Sequence, residues 1–300
     1  MATNDELRQA GAAPDAGLIA RHATAVSASF LAWIARQARD SAIDHLLFLT
    51  PGCAPLVPVT SRASELGHHS FLPGSARAFL VAGTDHRTFE EQLPLLIRDF
   101  EGRSLAEVLG HLNAKVPDDH VLADLGFGSD VRLRRQDERQ LRRFLLAYRR
   151  DILRAAQQAR GEVFRALIHA GVRPGMNLAV VDLGWDGAAI EAFAHLLPEM
   201  MEADISGFSF ALVDAPDVRQ RQSRLFLRGW VTRESAPALL AAAVADRDLL
   251  ERALALPAAQ GALPPAWDAE GTHAALADLL GLLTGPQREP VRRQLMSAPH

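Results

Sequence analysis

The run Asn177-Leu-Ala-Val-Val-Asp-Leu183 closes on Gly184-Trp-Asp-Gly187 and is followed at once by a helical pattern. A short, almost wholly apolar strand of this kind reads as buried on both faces, which is the habit of parallel sheets. The remaining chain alternates in the same way. Leu18 to Arg39 is helical, and Asp44-His-Leu-Leu-Phe-Leu-Thr50 is a second buried strand, closed by Pro51-Gly52. Arg77-Ala-Phe-Leu-Val-Ala82, ended by Gly83, predicts another strand, and Ile205 to Val213 and Leu225 to Val231 predict two more. The expectation is a three-layer α/β fold with a mostly parallel, Rossmann-like sheet and a large helical insertion.

In outline, residues 1–16 form a loose N-terminal arm, 17–262 the α/β domain with its insertion at about 88–170, and 263–300 a helical tail. Thr88-Phe-Glu-Glu91 and Ser104-Leu-Ala-Glu107 both fit a capping box, in which hydroxyl and carboxylate satisfy the orphan amides of a helix start. Asp118 to Asp130 reads as loop. Gln136 to Ala170 reads as a long helix broken near Gly161. A helix starting near Gly187 carries Ile190, Phe193, Ala194 and Leu197 on one face and stops at Pro198. Pro237 to Leu256 predicts a further helix, Ala258 to Asp268 a loop, and Thr272 to Leu283 the last helix.

A net charge of −4 argues against a general nucleic-acid binder, which needs a concentrated basic face. The one basic concentration, Arg132 to Arg165, is interrupted by Asp137, Glu138, Asp151 and Glu162 and reads as a solvated helix face. The lone lysine, Lys115, follows no glycine-rich loop, so there is no P-loop. One cysteine, Cys53, excludes an intramolecular disulfide and suits a reducing cytoplasm. The N-terminus is polar, and no uninterrupted apolar run approaches the roughly 20 residues of a membrane span.

The candidate site is the strand–loop–helix element Val180 to Gly187. Ligands of open parallel sheets collect at the carboxyl ends of strands. There Gly184 and Gly187 allow close backbone approach, and amides at the next helix start offer an anion site. Asp182 could act as a base, orient a sugar hydroxyl or hold a metal. Trp185 could stack on a sugar or cap the core, and Asp182 could equally serve as a helix cap. Other constellations are weaker. Asp246-Arg-Asp248 reads as helix surface, and Cys53 as an inert thiol. His68-His69 with Asp85-His86 lacks metal-ligand spacing. Neither a Gly-x-Ser-x-Gly elbow nor a Gly-x-Gly-x-x-Gly fingerprint occurs.

Val180-Val-Asp-Leu-Gly-Trp-Asp-Gly187 resembles the Val-Asp-Ile-Gly-Trp-x-Gly motif of predicted hydrolases of the HAD superfamily, bacterial proteins whose genes accompany glycosyltransferases of surface-polysaccharide synthesis. Asp44 to Gly52 is similar to that group's strand ending Arg-Asp-Gly, and Gly74-Ser-Ala-Arg-Ala-Phe-Leu80 to its Val-Ser-Arg-Arg-Ala-Leu segment. Ile205 to Ala211 and Leu250 to Leu254 follow in the same order, so the likeness covers roughly residues 30 to 262. It marks Gly52, Ser75, Arg77, Asp182, Gly184, Trp185 and Gly187. It departs at Thr50-Pro51, where the group has Arg-Asp, at Ala76, where it has Arg, and at Ile190, where a glutamine is usual. The HAD signature Asp-x-Asp-x-Thr belongs to an N-terminal domain that is not in this chain.

The resemblance implies an enzyme, a hydrolase or a phosphoryl or glycosyl transferase, or a binding domain for a phosphorylated sugar or sugar nucleotide. Asp182 and Arg77 would be its catalytic pair. Gly52, Ser75, Gly184, Trp185, Asp186 and Gly187 would bind the ligand, with no metal-ligand set but room for a divalent cation. The alternative is a non-catalytic partner or regulator of a glycosyltransferase, keeping backbone-shaping glycines after charged residues are lost.

Overall fold

The computed structural model describes residues 16–128, 131–258, 273–285 and 288–297. Residues of the predicted N-terminal arm up to 15, of the loop at 259–268, and Thr272 lie outside these. Five strands, β1 (His45–Thr50), β2 (His69–Pro73), β3 (Asn177–Asp182), β4 (Asp204–Ala211) and β5 (Phe226–Val231), form one sheet in the order β2-β1-β3-β4-β5. β1 pairs in parallel with β3, β3 with β4, and β4 with β5. Strand residues of both parities are buried: Leu46 and Phe48 on one face, Leu47 and Leu49 on the other, with Ala179 and Val181 against Leu178 and Val180. Both faces are therefore covered, and the architecture is a three-layer, Rossmann-like α/β fold.

Besides a single α-helical turn at Val57–Thr60, the α-helices of the described residues are α1 (Ala16–Asp40), α2 (Ala76–Gly83), α3 (Phe89–Leu96), α4 (Leu105–His111), α5 (Asp119–Asp124), α6 (Glu138–Ala147), α7 (Arg149–His169), α8 (Ala188–Leu196), α9 (Pro216–Arg224), α10 (Pro237–Ala245), α11 (Arg247–Leu254), α12 (Ala274–Thr284) and α13 (Arg288–Ser297). The chain divides into two compact units. One comprises residues up to Phe71, Met176–Ala188 and Asp204 onward; the other comprises Leu72–Gly175 and Ala189–Ala203.

In the first unit one sheet face packs Leu46, Phe48, Val181, Phe208 and Phe210 against Ile19, Phe30 and Ile34 of α1 and against Leu250, Leu276 and Leu280. Phe30, Phe210 and Trp230 meet there at centroid distances of 5.2 to 5.7 Å, the spacing of attractive aromatic pairs. α1 is long and apolar enough to cross a membrane. Its Val26, Phe30, Leu31 and Ile34 are buried in this core, as in a core helix of a globular domain.

The second unit has its own core, with Phe89, Leu93, Leu105, Leu109, Leu141, Leu145 and Ile152 at its centre. Ser104 and Glu107 form the predicted capping box at the start of α4. The one predicted at Thr88 does not form. The Thr88 hydroxyl and amide instead engage Asp85, whose carboxylate closes the preceding turn and also takes the Arg87 amide. In the basic stretch, α6 buries Leu141 and Leu145 and leaves Arg139 and Arg143 exposed.

Five other expectations are overturned. Arg77 to Ala82 is the helix α2, because Ser75 caps it by accepting the Ala78 amide; the strand is β2, short, at the sheet edge and ended by Pro73, where no ladder donor is needed. Part of Asp118 to Asp130 is helical, as α5. The break in the Gln136 to Ala170 zone falls at Tyr148, while Gly161 lies inside continuous helix. Pro237 to Leu256 is two helices, parted at Asp246. That residue is not surface: it is buried and paired with Arg288.

Candidate functional site

In the order β2-β1-β3-β4-β5 the chain reverses direction across the sheet between β1 and β3; in open α/β sheets the ligand crevice lies outside the carboxyl ends of the strands at such a switch point. Gly52 follows β1 and Asp182 ends β3, so two of the predicted residues flank it. Their fit is close. A Cβ at Gly52 would stand 3.2 Å from Asp182 Oδ1, and one at Gly184 would stand 2.2 Å from Oδ2. The carboxyl group thus occupies space that two absent side chains leave.

Burial is the main reason that the Asp182 carboxyl is pushed up to about 6, and the neighbouring Asp186 carboxylate adds to it. The Gly184 amide, which donates to Asp182, and the Arg247 charge act in the opposite direction. A carboxyl group so placed can hold or release a proton near neutrality. Ser209 on β4 is the register partner of Asp182, so its side chain shares the same sheet face. Its hydroxyl is fully buried and has no hydrogen-bond partner among the described residues. A serine inside the apolar run Gly207-Phe-Ser-Phe-Ala211 was the signal for it in the sequence.

The loop beyond Asp182 is shaped by its own contacts. Gly187 has φ +71°, and a Cβ there would lie 2.5 Å from Leu227. Gly187→Ala is therefore expected to lose about 2 to 3 kcal/mol, measured by urea unfolding, because left-handed backbone and overlap add. The Asp186 side chain accepts the Ala188 amide at 2.9 Å and so caps the start of α8. Arg221 donates to the Asp186 carbonyl at 3.0 Å and to Asp217 at 2.9 Å.

Trp185 is a packing residue. It is 4% exposed, edge-on to Phe210 at 6.2 Å, and its indole N–H donates to Glu251 at 2.9 Å. Arg247 lies over the ring at 5.3 Å and holds the same Glu251 at 2.7 Å. Glu251 and Arg247, unmarked by any motif, complete this corner. They also line an open groove of about 820 Å³ with Asp246, Arg252, Arg288 and Arg292.

Cys53 is buried, its thiol donates to the Val181 carbonyl, and burial beside Asp182 raises its pKa, so it is an inert thiol. Ser75 and Arg77 belong to the second unit. Ser75 caps α2, and Arg77 pairs with Asp99 and approaches His111. His69 packs edge-on to Phe48 and Asp85 closes its own turn. Among the described residues no group of three or more His, Cys, Asp or Glu is arranged to hold a metal ion. Compared with protein-family models and with curated proteins, the chain matches none.

Proposed function

We propose that the crevice at the carboxyl ends of β1 and β3 binds a phosphorylated sugar or sugar nucleotide. Asp182 would exchange a proton with one of its hydroxyls, in cytoplasmic synthesis of a bacterial surface polysaccharide. One observation carries this reading: a buried carboxyl group, set between Gly52 and Gly184 at the switch point, which burial pushes up to about 6. A group of that kind can accept from a hydroxyl when charged and donate when protonated. The motif resemblance supplies the sugar and the setting. The loop amides are a poorer phosphate cradle than the sequence suggested. The Gly184 amide is engaged by Asp182 and the Ala188 amide by Asp186. Asp182 therefore acts on the hydroxyl side of the ligand, and Arg247, whose charge already reaches Asp182, is the guanidinium of this unit best placed for the phosphate side.

Titration calorimetry with a panel of sugar phosphates and sugar nucleotides tests this. At least one should bind, and Asp182→Asn should bind it about tenfold more weakly, the worth of one hydrogen bond to a charged group. No binding by any compound, or equal binding and turnover in both proteins, would sink it.

A second reading, a non-catalytic partner of a glycosyltransferase, is favoured by Trp185. The most distinctive residue of the motif is committed to the core and to Glu251, as expected of a motif kept for shape. Co-purification with a glycosyltransferase, combined with no ligand binding in the calorimeter, is the outcome this reading requires.

A further inference from the structure

His111, the last residue of α4, lies between two guanidinium groups. Its Nδ1 is 3.5 Å from Arg77 Nη1, and its Nε2 is 3.1 Å from Arg103 Nη1. Arginine only donates, whereas a neutral imidazole has one N–H and one lone pair. One of the two contacts therefore sets a donor against a donor; if the ring is protonated, both do. Asp99 relieves part of this surplus. Its carboxylate accepts from Arg77, but Arg103 reaches only its backbone carbonyl, at 2.7 Å. The groups facing the ring are Arg77 from α2, Asp99 from the turn after α3, Arg103 from the following loop, and Glu107 one turn earlier on α4. Glu107 is already held by Arg132 and by the Ser104 amide. Burial and the two arginines hold the His111 pKa below its ordinary value, against the pull of Glu107 and Asp99.

We propose that Arg77, Arg103 and His111 form a binding site for a tetrahedral oxyanion, free phosphate or the terminal phosphate of a monoester. An anion seated among the three would accept from both guanidiniums and from the ring, converting the donor conflict into charge-assisted hydrogen bonds. The site stands on the helical unit alone, and its failure would leave the reading of Asp182 untouched.

Sulfate is the cleanest probe, because it does not titrate in the range where histidine does. The full chain is titrated by NMR on the histidine ring signals, in sodium sulfate and in sodium chloride at matched ionic strength. The His111 signal is assigned by its loss in His111→Gln. Sulfate should raise the His111 pKa, and sulfate affinity should tighten by up to about tenfold per pH unit as the ring takes up its proton. In His111→Gln that pH dependence should vanish. Arg103→Gln should weaken sulfate binding about tenfold or more, and Asp99→Asn should strengthen it by releasing Arg77. Inorganic phosphate and a sugar phosphate, compared above pH 7.5, then separate the free ion from the ester. A His111 pKa that is the same in both salts overturns the site, and so does unchanged sulfate affinity in Arg103→Gln and Asp99→Asn. Should His111→Gln fail to fold, those two variants decide the matter.

Discussion

Trp185→Ala should lose about 3 to 5 kcal/mol of unfolding free energy, the range for removing a large buried aromatic ring. The ring is almost completely enclosed, packs edge-on to Phe210, and ties the loop after β3 to α11 through Glu251. Removing it leaves a cavity and strips Glu251 of one of two donors, Arg247 being the other. Trp185→Phe keeps most of the ring and loses only the indole N–H, so a loss of about 1 to 2 kcal/mol is expected. Urea unfolding of the three proteins makes the comparison. If Trp185 were instead a stacking platform for a sugar, Trp185→Ala would stay within about 1 kcal/mol of wild type. Binding of the sugar ligand would fail all the same. That outcome would remove the packing role.

The parallel sheet was legible because two of its central strands, β1 and β3, have continuous apolar interiors closed by turn residues, and burial on both faces demands that composition. The edge strand was not. His69-Ser-Phe-Leu-Pro73 needs only one hydrogen-bonded neighbour, so neither its residues nor its proline had to look like a central strand. Its place was given to Arg77 to Ala82, where Phe79 and Val81 favour a strand and Ala78 and Ala82 a helix; the deciding residue is Ser75, one before α2 begins. The two capping boxes carry a similar lesson. Ser104 and Thr88 have the same spacing to glutamate, but an aspartate three residues before Thr88 competes for its hydroxyl and wins. Helix breaks at Tyr148 and Asp246 left no glycine or proline to read.

At the site, local and non-local information divide cleanly. Asp182, Gly184 and Gly187 were readable because the strand end, the approach of Gly184 to Asp182 and the left-handed turn at Gly187 are local features of the chain. Gly52 was marked only by resemblance, and its physical reason, the approach of Asp182 Oδ1, exists only once β1 and β3 are neighbours. Ser209, Arg247 and Glu251 come from β4 and α11, and no spacing rule links them to the motif. His111 escaped for the same reason: Arg77 on α2 and His111 at the end of α4 meet only after folding.

Asp182→Asn should make the protein more stable at pH 7.5 while weakening the function proposed for it. The folded-state value near 6 lies above the roughly 3.9 of an unfolded aspartate, so between these limits the folded protein keeps a proton that the unfolded chain has released. Stability is therefore fully present below about pH 4 and falls as the pH rises through about 6. At about 1.4 kcal/mol per pH unit, the gap between the two values is worth on the order of 2 to 3 kcal/mol. Asparagine has no charge to desolvate, and its amide oxygen can still accept the Gly184 amide. The variant should then exceed wild type by that amount at pH 7.5 and converge with it near pH 3.5, in urea or thermal unfolding across the range. An equal gain at every pH would assign the effect to packing. No gain at pH 7.5 would mean that the carboxylate is solvated in the folded state, and would rule out Asp182 as a proton-exchanging group. A stabilising substitution that weakens ligand binding is the pattern expected where a fold carries an unfavourable buried charge for the sake of its chemistry.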